Sequence, residues 1–171
     1  VQISSLSARE PALSDYAGSK RAGEVELERA GDALDWTILR PPAVYGEEDR
    51  EFLPFFRMAT AGWLAAPANG DARLSLIHGA DLGRAVLATA LAAARGQTLE
   101  VDDGKPGGYR WPEIAAALAT AVGRPVRLIR LPYAPLAALA LLVERRARFG
   151  AQAAMVTRGK LRELWHPDWK A

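Results

Sequence analysis

The sequence predicts an α/β fold with a largely parallel sheet, because segments of strand character alternate with segments of helix character along most of the chain. Half of the 171 residues are apolar, which is enough to bury a substantial core, and the length is typical of one domain. In folds of this class, ligands bind beyond the carboxyl ends of the strands. We therefore expect functional residues where the predicted strands end.

Short apolar segments rich in β-branched residues have the composition of buried strands. The predicted strands are residues 1–4, 35–39, 74–78, 98–101 and 126–130. The first strand turns polar at Ser4 and Ser5, as a buried strand does where it emerges at its carboxyl end. After the second strand, the sequence RPPAVYG (40–46) predicts an extended loop, because two adjacent prolines are incompatible with a helix.

Capping residues and glycines bound the predicted helices. Ser14 and Asp15 begin a helix that ends at Gly31. Asp81 is expected to cap a helix that ends at Gly96, and Pro112 occupies the first-turn position of another. The remaining predicted helical segments are residues 50–61, 113–122 and most of the chain after residue 132.

Composition argues against several classes of function. The 22 basic residues nearly balance the 20 acidic ones and are scattered, which disfavours a nucleic-acid partner. The absence of cysteine and the presence of only two histidines predict no metal site. The longest apolar run, residues 134–143, is too short for a membrane span of about 20 residues. It is interpreted as a buried helix in preference to a weak membrane-surface element. We expect a cytoplasmic protein without an integral membrane segment.

Tyr16 and Lys20 are four residues apart and share one face of the first helix. An ammonium group close to a tyrosine favours the phenolate form, so that the phenol can donate and accept a proton near neutral pH. A serine hydroxyl from the preceding strand end could hold a substrate oxygen against that phenol. On spacing alone, however, the pair could equally be part of a solvated helix face.

The order of these features resembles the short-chain dehydrogenase/reductase superfamily, specifically its extended or atypical members, the NAD-dependent epimerases and dehydratases. The matching features are a strand ending in Ser-Ser, Tyr-x-x-x-Lys on a helix, a second strand, and RPPAVYG. The resemblance implies the C-terminal part of a Rossmann-type doubly wound parallel sheet plus a small, mainly helical substrate-binding portion. The implied boundaries are residues 1–100, with a substrate-loop insertion at about 47–73, and residues 101–171.

The resemblance also implies roles for individual residues. Ser5 would supply the catalytic hydroxyl, Tyr16 would be the general acid/base, and Lys20 would bind the nicotinamide ribose and tune the tyrosine. Tyr16 and Lys20 are also expected to bind the cofactor, and the residues expected along the nicotinamide are Pro41, Pro42 and Val44. The implied protein is an enzyme that uses NAD or NADP and a small-molecule substrate, and a homodimer is compatible with it.

Two departures from the family pattern qualify these expectations. The Gly-x-x-Gly-x-x-Gly turn that seats the cofactor pyrophosphate is not found in the sequence. We therefore expect these residues to be a C-terminal fragment that binds cofactor poorly alone. Arg73 lies one residue further back than the arginine that contacts the diphosphate in sugar-nucleotide members, which disfavours a nucleotide sugar as substrate.

Alternatives remain open for the protein and for single residues. A non-catalytic dinucleotide-binding scaffold or sensor of the same fold is the second hypothesis, although an intact Ser, Tyr and Lys set favours an enzyme. Ser7 is a rival to Ser5 for the substrate hydrogen bond. His78 is expected to be structural, and Arg40 could serve as a loop anchor. Asp102 and Asp103 beside Gly104 indicate a turn.

Overall fold

The computed structural model describes residues 1–47, 49–92, 95–147 and 157–171. The strands in these residues are β1 (Gln2–Ile3), β2 (Thr37–Arg40), β3 (Ala43–Tyr45), β4 (Trp63–Pro67), β5 (Arg73–Leu74), β6 (Leu76–His78), β7 (Gln97–Glu100), β8 (Arg127–Leu131) and β9 (Asp168–Trp169). The helices are α1 (Asp15–Ala30), α2 (Leu53–Thr60), α3 (Gly79–Leu91), α4 (Trp111–Val122), α5 (Tyr133–Ala147) and α6 (Arg158–Trp165). A short 3-10 turn, Leu6–Arg9, joins β1 to the segment before α1. The alternation of strands and helices confirms the α/β class.

The strands named above pair in parallel. β1, β2 and β7 form a three-stranded sheet in that order, in which Ile3 lies opposite Leu39 and Leu39 lies opposite Leu99. The other pairs are β3 with β6, β4 with β8, and β5 with β9. The carboxyl ends of β1 and β2 therefore lie side by side, as the predicted site requires.

The structure has strands at all five predicted positions, but one predicted strand is divided in two and further strands are present. Residues 74–78 contribute to two short strands, β5 and β6, because Ser75 lies between them. The predicted loop at residues 40–46 was wrong for residues 43–45, which form β3 because the extended backbone pairs with β6. Strands β4 and β9 were not predicted, since each has a partner that is distant in sequence.

Local capping signals explain the first and fourth helices. Ser14 accepts a hydrogen bond from the Ala17 N–H at 3.0 Å and begins α1, and Gly31 ends it with φ of +51°. Gly123 ends α4 in the left-handed conformation, at φ of +68°. Both ends agree with prediction, because capping depends on residues close in sequence.

The third helix begins three residues earlier than predicted. The His78 Nδ1 accepts a hydrogen bond from the Ala80 N–H at 3.2 Å, so His78 is the N-cap of α3, and Asp81 lies within the first turn. The predicted cap at Asp81 was therefore wrong, while a structural role for His78 is confirmed. The helix also ends at Leu91 rather than at Gly96. Residues 93 and 94 of the predicted helix lie outside the described residues.

A hydrophobic core lies between α2, α4 and β4. Its buried residues are Ala59, Leu64, Ala66, Trp111, Ala115 and Leu118. Around the ends of β1 and β2, Leu6, Ile38 and Leu39 are almost fully buried. Full burial of one such side chain contributes roughly 1.5–3 kcal/mol, so both regions contribute to holding the fold.

The segment at residues 47–73, predicted as a substrate-loop insertion, contains α2 and β4 and reaches β5. β4 pairs with β8 and β5 pairs with β9, so this segment contacts the chain beyond residue 101. The division into residues 1–100 and 101–171 stays a prediction.

The apolar run at residues 134–143 lies in α5, where Ala140 is buried but Leu139 and Leu142 are exposed. Within the described ranges, no helix is long and apolar enough to cross a membrane.

Candidate active site

The two serines at the end of β1 have different surroundings. The Ser4 N–H donates to the Leu39 carbonyl at 2.7 Å and the Leu6 N–H donates to the Pro41 carbonyl at 2.9 Å, so the chain stays beside β2 as it leaves the sheet. Ser4 is buried, and its hydroxyl donates to Glu24 at 2.5 Å. Ser5 is only half-buried. Ser4 therefore belongs to the interior, whereas Ser5 lies at the edge of the sheet.

Ser5 caps the 3-10 turn and also contacts Ser7. The Ser5 Oγ accepts from the Ser7 N–H at 3.2 Å and from the Ser7 hydroxyl at 2.9 Å. Because the Ser5 oxygen is the acceptor in both bonds, its O–H group can still donate a hydrogen bond. A hydroxyl that accepts in this way is polarised and becomes a better donor. Ser5 and Ser7, the two candidates for the substrate hydrogen bond, are thus hydrogen-bonded to each other, with Ser7 as the donor and Ser5 as the acceptor.

Tyr16 and Lys20 lie on the first two turns of α1. The Lys20 Nζ is 5.6 Å from the centroid of the Tyr16 ring and donates a hydrogen bond to the Ile3 carbonyl at 3.3 Å. Ile3 is two residues before Ser5, so the ammonium group connects the tyrosine to the strand end that carries the serine. Tyr16 is 52% exposed, which leaves its phenol accessible to a ligand. The structure thus brings Lys20 next to the Tyr16 ring and to the backbone of the strand that leads to Ser5.

The predicted nicotinamide-binding residues follow β2. Pro41 and Pro42 are buried, and the Pro41 carbonyl is held by the Leu6 N–H of the serine turn. Val44 is half-buried in β3 and lies opposite Ile77 of β6. The segment is therefore fixed beside Ser5, but its contact with a cofactor stays a prediction. Among the residues that the structure describes, no group of three or more His, Cys, Asp or Glu side chains could hold a metal ion.

A buried carboxylate that the sequence analysis did not identify lies beneath these residues. Glu24 is fully buried and accepts hydrogen bonds from the Arg40 Nε at 2.9 Å and Nη2 at 2.7 Å. It also accepts from Arg21 at 3.0 Å and from Ser4. Glu24 therefore joins α1 to the carboxyl ends of both β1 and β2.

Electrostatics keeps this carboxylate ionised. Burial raises the pKa of Glu24, but the hydrogen bonds from Arg40, Ser4 and Arg21 outweigh it and lower the pKa to about 2. The same Glu24 hydrogen bonds raise the pKa of Arg40, against the opposing effect of burial. The pair is thus charged throughout the range in which enzymes work.

In the sequence, only the spacing of Glu24 from Tyr16 and Lys20 connects it with the candidate site. Tyr16, Lys20 and Glu24 follow one another at intervals of four, which places them along one face of α1. A glutamate on a helix is exposed by default, so this spacing alone did not predict burial. Arg40, for which a role as a loop anchor was one alternative, forms an ion pair with Glu24 that joins α1 to the sheet.

Comparisons with known proteins identify related sequences and similar folds. The chain is 37% identical over 169 residues to a protein from Caulobacter vibrioides (strain NA1000 / CB15N) named ceramide reductase, covering 99% of this chain and 52% of that protein. The chain thus spans about half the length of this relative. A Staphylococcus aureus nucleoside-diphosphate-sugar epimerase has a similar fold, with a TM-score of 0.67, 19% identity, and coverage of 96% of this chain and 52% of that one.

A structure of the Thermus thermophilus UDP-glucose 4-epimerase in complex with NAD is also similar, with a TM-score of 0.55 and 26% identity. The match covers 70% of this chain and 42% of the epimerase. The model of the NAD-dependent epimerase/dehydratase family matches residues 3–101, which include Ser5, Tyr16, Lys20 and the RPPAVYG segment. Since these residues make up more than half of the sequence, the chain belongs to the NAD-dependent epimerase/dehydratase family.

Proposed function

We propose that the natural protein containing this chain is an NAD(P)-dependent oxidoreductase that interconverts a carbonyl and a carbinol. The observation that carries the proposal is the position of Lys20, whose ammonium lies beside the Tyr16 ring and is hydrogen-bonded to the strand that leads to Ser5. This arrangement supports a site in which a phenol, a cation and a hydroxyl group act together. In carbonyl reduction these groups would hold the oxygen and supply its proton, while the hydride would come from the nicotinamide cofactor.

Each residue has a distinct role in the reducing direction. The Ser5 hydroxyl donates a hydrogen bond to the substrate carbonyl oxygen. The Tyr16 phenol donates its proton to that oxygen as the carbonyl carbon becomes a carbinol, and the nearby Lys20 cation stabilises the phenolate that remains. The nicotinamide cofactor, when bound, supplies the hydride. In the oxidising direction the phenolate takes the proton back.

The donor set fits a nicotinamide ribose. An ammonium group has three N–H donors, and Lys20 directs one of them to the Ile3 carbonyl. The other two are available to the hydroxyl groups of a ribose. Pro41, Pro42 and Val44 would then supply the apolar wall along the nicotinamide ring, as the family resemblance implies.

For the substrate we propose the ceramide class, because the relative named ceramide reductase matches 99% of this chain. A nucleotide sugar is less well supported by the site. The Arg73 Nη1 donates to the Gly107 carbonyl at 3.0 Å, which uses one of the guanidinium donors that a diphosphate would need.

The test is turnover of the full-length natural protein with a short-chain ceramide and NAD⁺ or NADP⁺, followed by cofactor absorbance. UDP-glucose is the alternative substrate, and its conversion is followed by chromatography of the sugar nucleotide, because an epimerisation produces no net change in the cofactor. Replacing Tyr16 by Phe should lower kcat by about 10²–10⁴-fold, the range for a lost general acid/base, and leave the cofactor Kd nearly unchanged. Tyr133→Phe is the matched control, because Tyr133 lies on α5 and its ring packs against Trp165 of α6.

Three outcomes would contradict parts of the proposal. Wild-type turnover by Tyr16→Phe would refute the general acid/base assignment. Turnover of UDP-glucose but not of ceramide would refute the substrate class. Cofactor binding without turnover of either compound would instead favour the scaffold or sensor hypothesis.

A further inference from the structure

The 3-10 turn that carries Ser7 is held by the C-terminal strand of the chain. At the end of this turn, the Arg9 Nη1 donates to the Lys170 carbonyl at 2.8 Å and the Nη2 donates to the Asp168 carbonyl at 3.1 Å. The same guanidinium lies 6.0 Å from the centroid of the Trp169 ring and forms an ion pair with Glu100 at 3.2 Å. One side chain thus joins the turn to β9 and to β7.

The C-terminal strand is itself fixed to the sheet region by backbone hydrogen bonds. β9 pairs with β5, and the Ser75 N–H donates to the Trp169 carbonyl at 2.9 Å. The Ala171 N–H donates to the Ser75 Oγ at 3.2 Å. Residues 168–171 therefore form a stable support for Arg9 rather than a loose tail.

The preceding helix contacts the other end of the same loop. Ser14, the N-cap of α1, donates its hydroxyl to Glu163 of α6. Glu163 is also tied to the C-terminal strand, because its carbonyl accepts from the Trp169 Nε1 at 2.6 Å. The loop between Ser5 and Tyr16 is consequently held at Arg9 and at Ser14 by one continuous segment, residues 158–171.

The turn needs such support because it is intrinsically weak. It contains four residues, and its i to i+3 hydrogen bonds, from Ala8 to Ser5 and from Glu10 to Ser7, have poorer geometry than those of an α-helix. The Ser5 hydroxyl takes its orientation from this turn, since it accepts from the Ser7 N–H. A displacement of the turn would therefore displace the hydroxyl.

We propose that Arg9 is a positioning residue, through which the C-terminal segment 158–171 sets the placement of the Ser5 and Ser7 hydroxyls. The catalytic part of this inference rests on the proposed function, whereas the coupling between the segment and the turn does not. A purely structural role for Arg9 would change stability without a specific effect on the turn or on kcat.

The test uses Arg9→Ala, Trp169→Ala and the double variant in the full-length natural protein, with Arg29→Ala as control. Arg29 is a matched control because it also lies in an ion pair, with Glu26, but on the solvent-exposed face of α1. Two quantities are measured, namely hydrogen exchange in peptides that cover residues 5–13, and kcat together with the cofactor Kd.

Arg9→Ala should speed exchange in residues 5–13 about tenfold and lower kcat about tenfold, the loss expected for charge-assisted hydrogen bonds, with the cofactor Kd changed less than about twofold. Trp169→Ala should act in the same direction, because it removes the ring beside the guanidinium and the hydrogen bond to the Glu163 carbonyl that ties the C-terminal strand to α6. The double variant should be no worse than the worse single variant, because both substitutions break the same support. Arg9→Lys should recover part of kcat, since it keeps a cation and donors at the site.

Unchanged exchange in residues 5–13, or effects of the two substitutions that multiply in the double variant, would overturn the inference. If Arg9→Ala does not fold, Trp169→Ala tests the same support by the same two measurements. If the wild-type protein shows no turnover, the proposed function fails. The exchange measurement then still decides whether the C-terminal segment positions the turn.

Discussion

Glu24 is the residue on which the geometry of the candidate site depends most directly. Its carboxylate accepts two hydrogen bonds from Arg40 at the end of β2 and one from Ser4 at the end of β1. It lies one helical turn beyond Lys20 on α1, so the helix face that carries Tyr16 and Lys20 is fixed against the sheet. Arg40 is only 17% exposed and would be left without its buried counter-ion if Glu24 were neutral.

Removing the charge of Glu24 should strongly destabilise the protein. We expect Glu24→Gln to lower the free energy of unfolding by about 3–5 kcal/mol, the range for breaking a buried ion pair, because Arg40 then keeps only its longer contact with the partly exposed Glu100, at 3.6 Å. Glu26→Gln is the control, since that glutamate is 70% exposed in its pair with Arg29 and should change stability by less than about 1 kcal/mol. Urea unfolding of both variants measures the difference, and equal losses would contradict this account.

The free energy of unfolding should depend on pH through the ionisation of Glu24. The pKa of Glu24 is about 2 in the folded protein and ordinarily 4.5, so its contribution is fully present above pH 4.5 and is lost as the pH falls towards 2. The loss amounts to roughly 3 kcal/mol over this range. The measurement is the unfolding free energy of wild type minus that of Glu24→Gln as a function of pH. A difference that stays constant between about pH 5 and pH 2 would be inconsistent with the assignment.

At the scale of elements, the turn after β7 shows how side chains organise a loop. Ser75 donates to Asp102 at 2.8 Å, and the Tyr109 hydroxyl donates to Asp103, a hydrogen bond that raises the pKa of Tyr109 to about 12. The Asp102 side chain also accepts from the Gly104 N–H at 2.8 Å. The predicted turn at these residues is therefore confirmed, and both carboxylates are used within it.

Two glycines of this loop offer a matched comparison. Both have positive φ, but a Cβ at Gly104 would meet nothing, whereas a Cβ at Gly108 would lie 2.9 Å from the Leu74 carbonyl oxygen. Gly104→Ala should cost about 1 kcal/mol of stability from backbone strain alone. Gly108→Ala should cost at least about 1 kcal/mol more because the backbone must also shift. Thermal or urea unfolding gives both values, and similar losses would argue against the close approach.

At the scale of the whole molecule, apolar side chains remain on the surface of the 171-residue chain. Leu87 and Leu91 of α3 are 61% and 79% exposed, and Val1 and Ile3 are about half exposed at the β1 edge of the sheet. An apolar helix face and an open strand edge are surfaces that favour association or partial unfolding. The chain also spans only about half of the relative from Caulobacter vibrioides.

We therefore expect the isolated 171 residues to be poorly stable and to bind NAD or NADP weakly. Two measurements check this expectation, calorimetric titration with each dinucleotide and binding of a dye that reports exposed apolar surface. The full-length natural protein serves as the comparison. Micromolar binding of either dinucleotide by the isolated chain would show that the expectation is wrong.

What could be predicted from the sequence was mainly local. Ser14 and Gly31 bound α1 because a cap involves groups within a few residues, and the α/β class follows from the alternation of short apolar segments with capped helices. The order of Ser5, Tyr16, Lys20 and RPPAVYG indicated the family that the comparison confirmed. The catalytic and cofactor-binding roles of these residues stay predictions.

Tertiary structure decided the features whose partners are distant along the chain. Strands β4 and β9 exist because β8 and β5 lie beside them, and His78 replaces Asp81 as the cap of α3 at the point where β6 ends. The ion pair of Glu24 with Arg40 and the contact of Arg9 with the C-terminal strand likewise join distant residues. Charged side chains are solvated by default, so only the folded arrangement shows which of them are buried and paired. The sequence by itself thus determined the class of fold and the order of the candidate site residues, and packing determined what holds those residues in place.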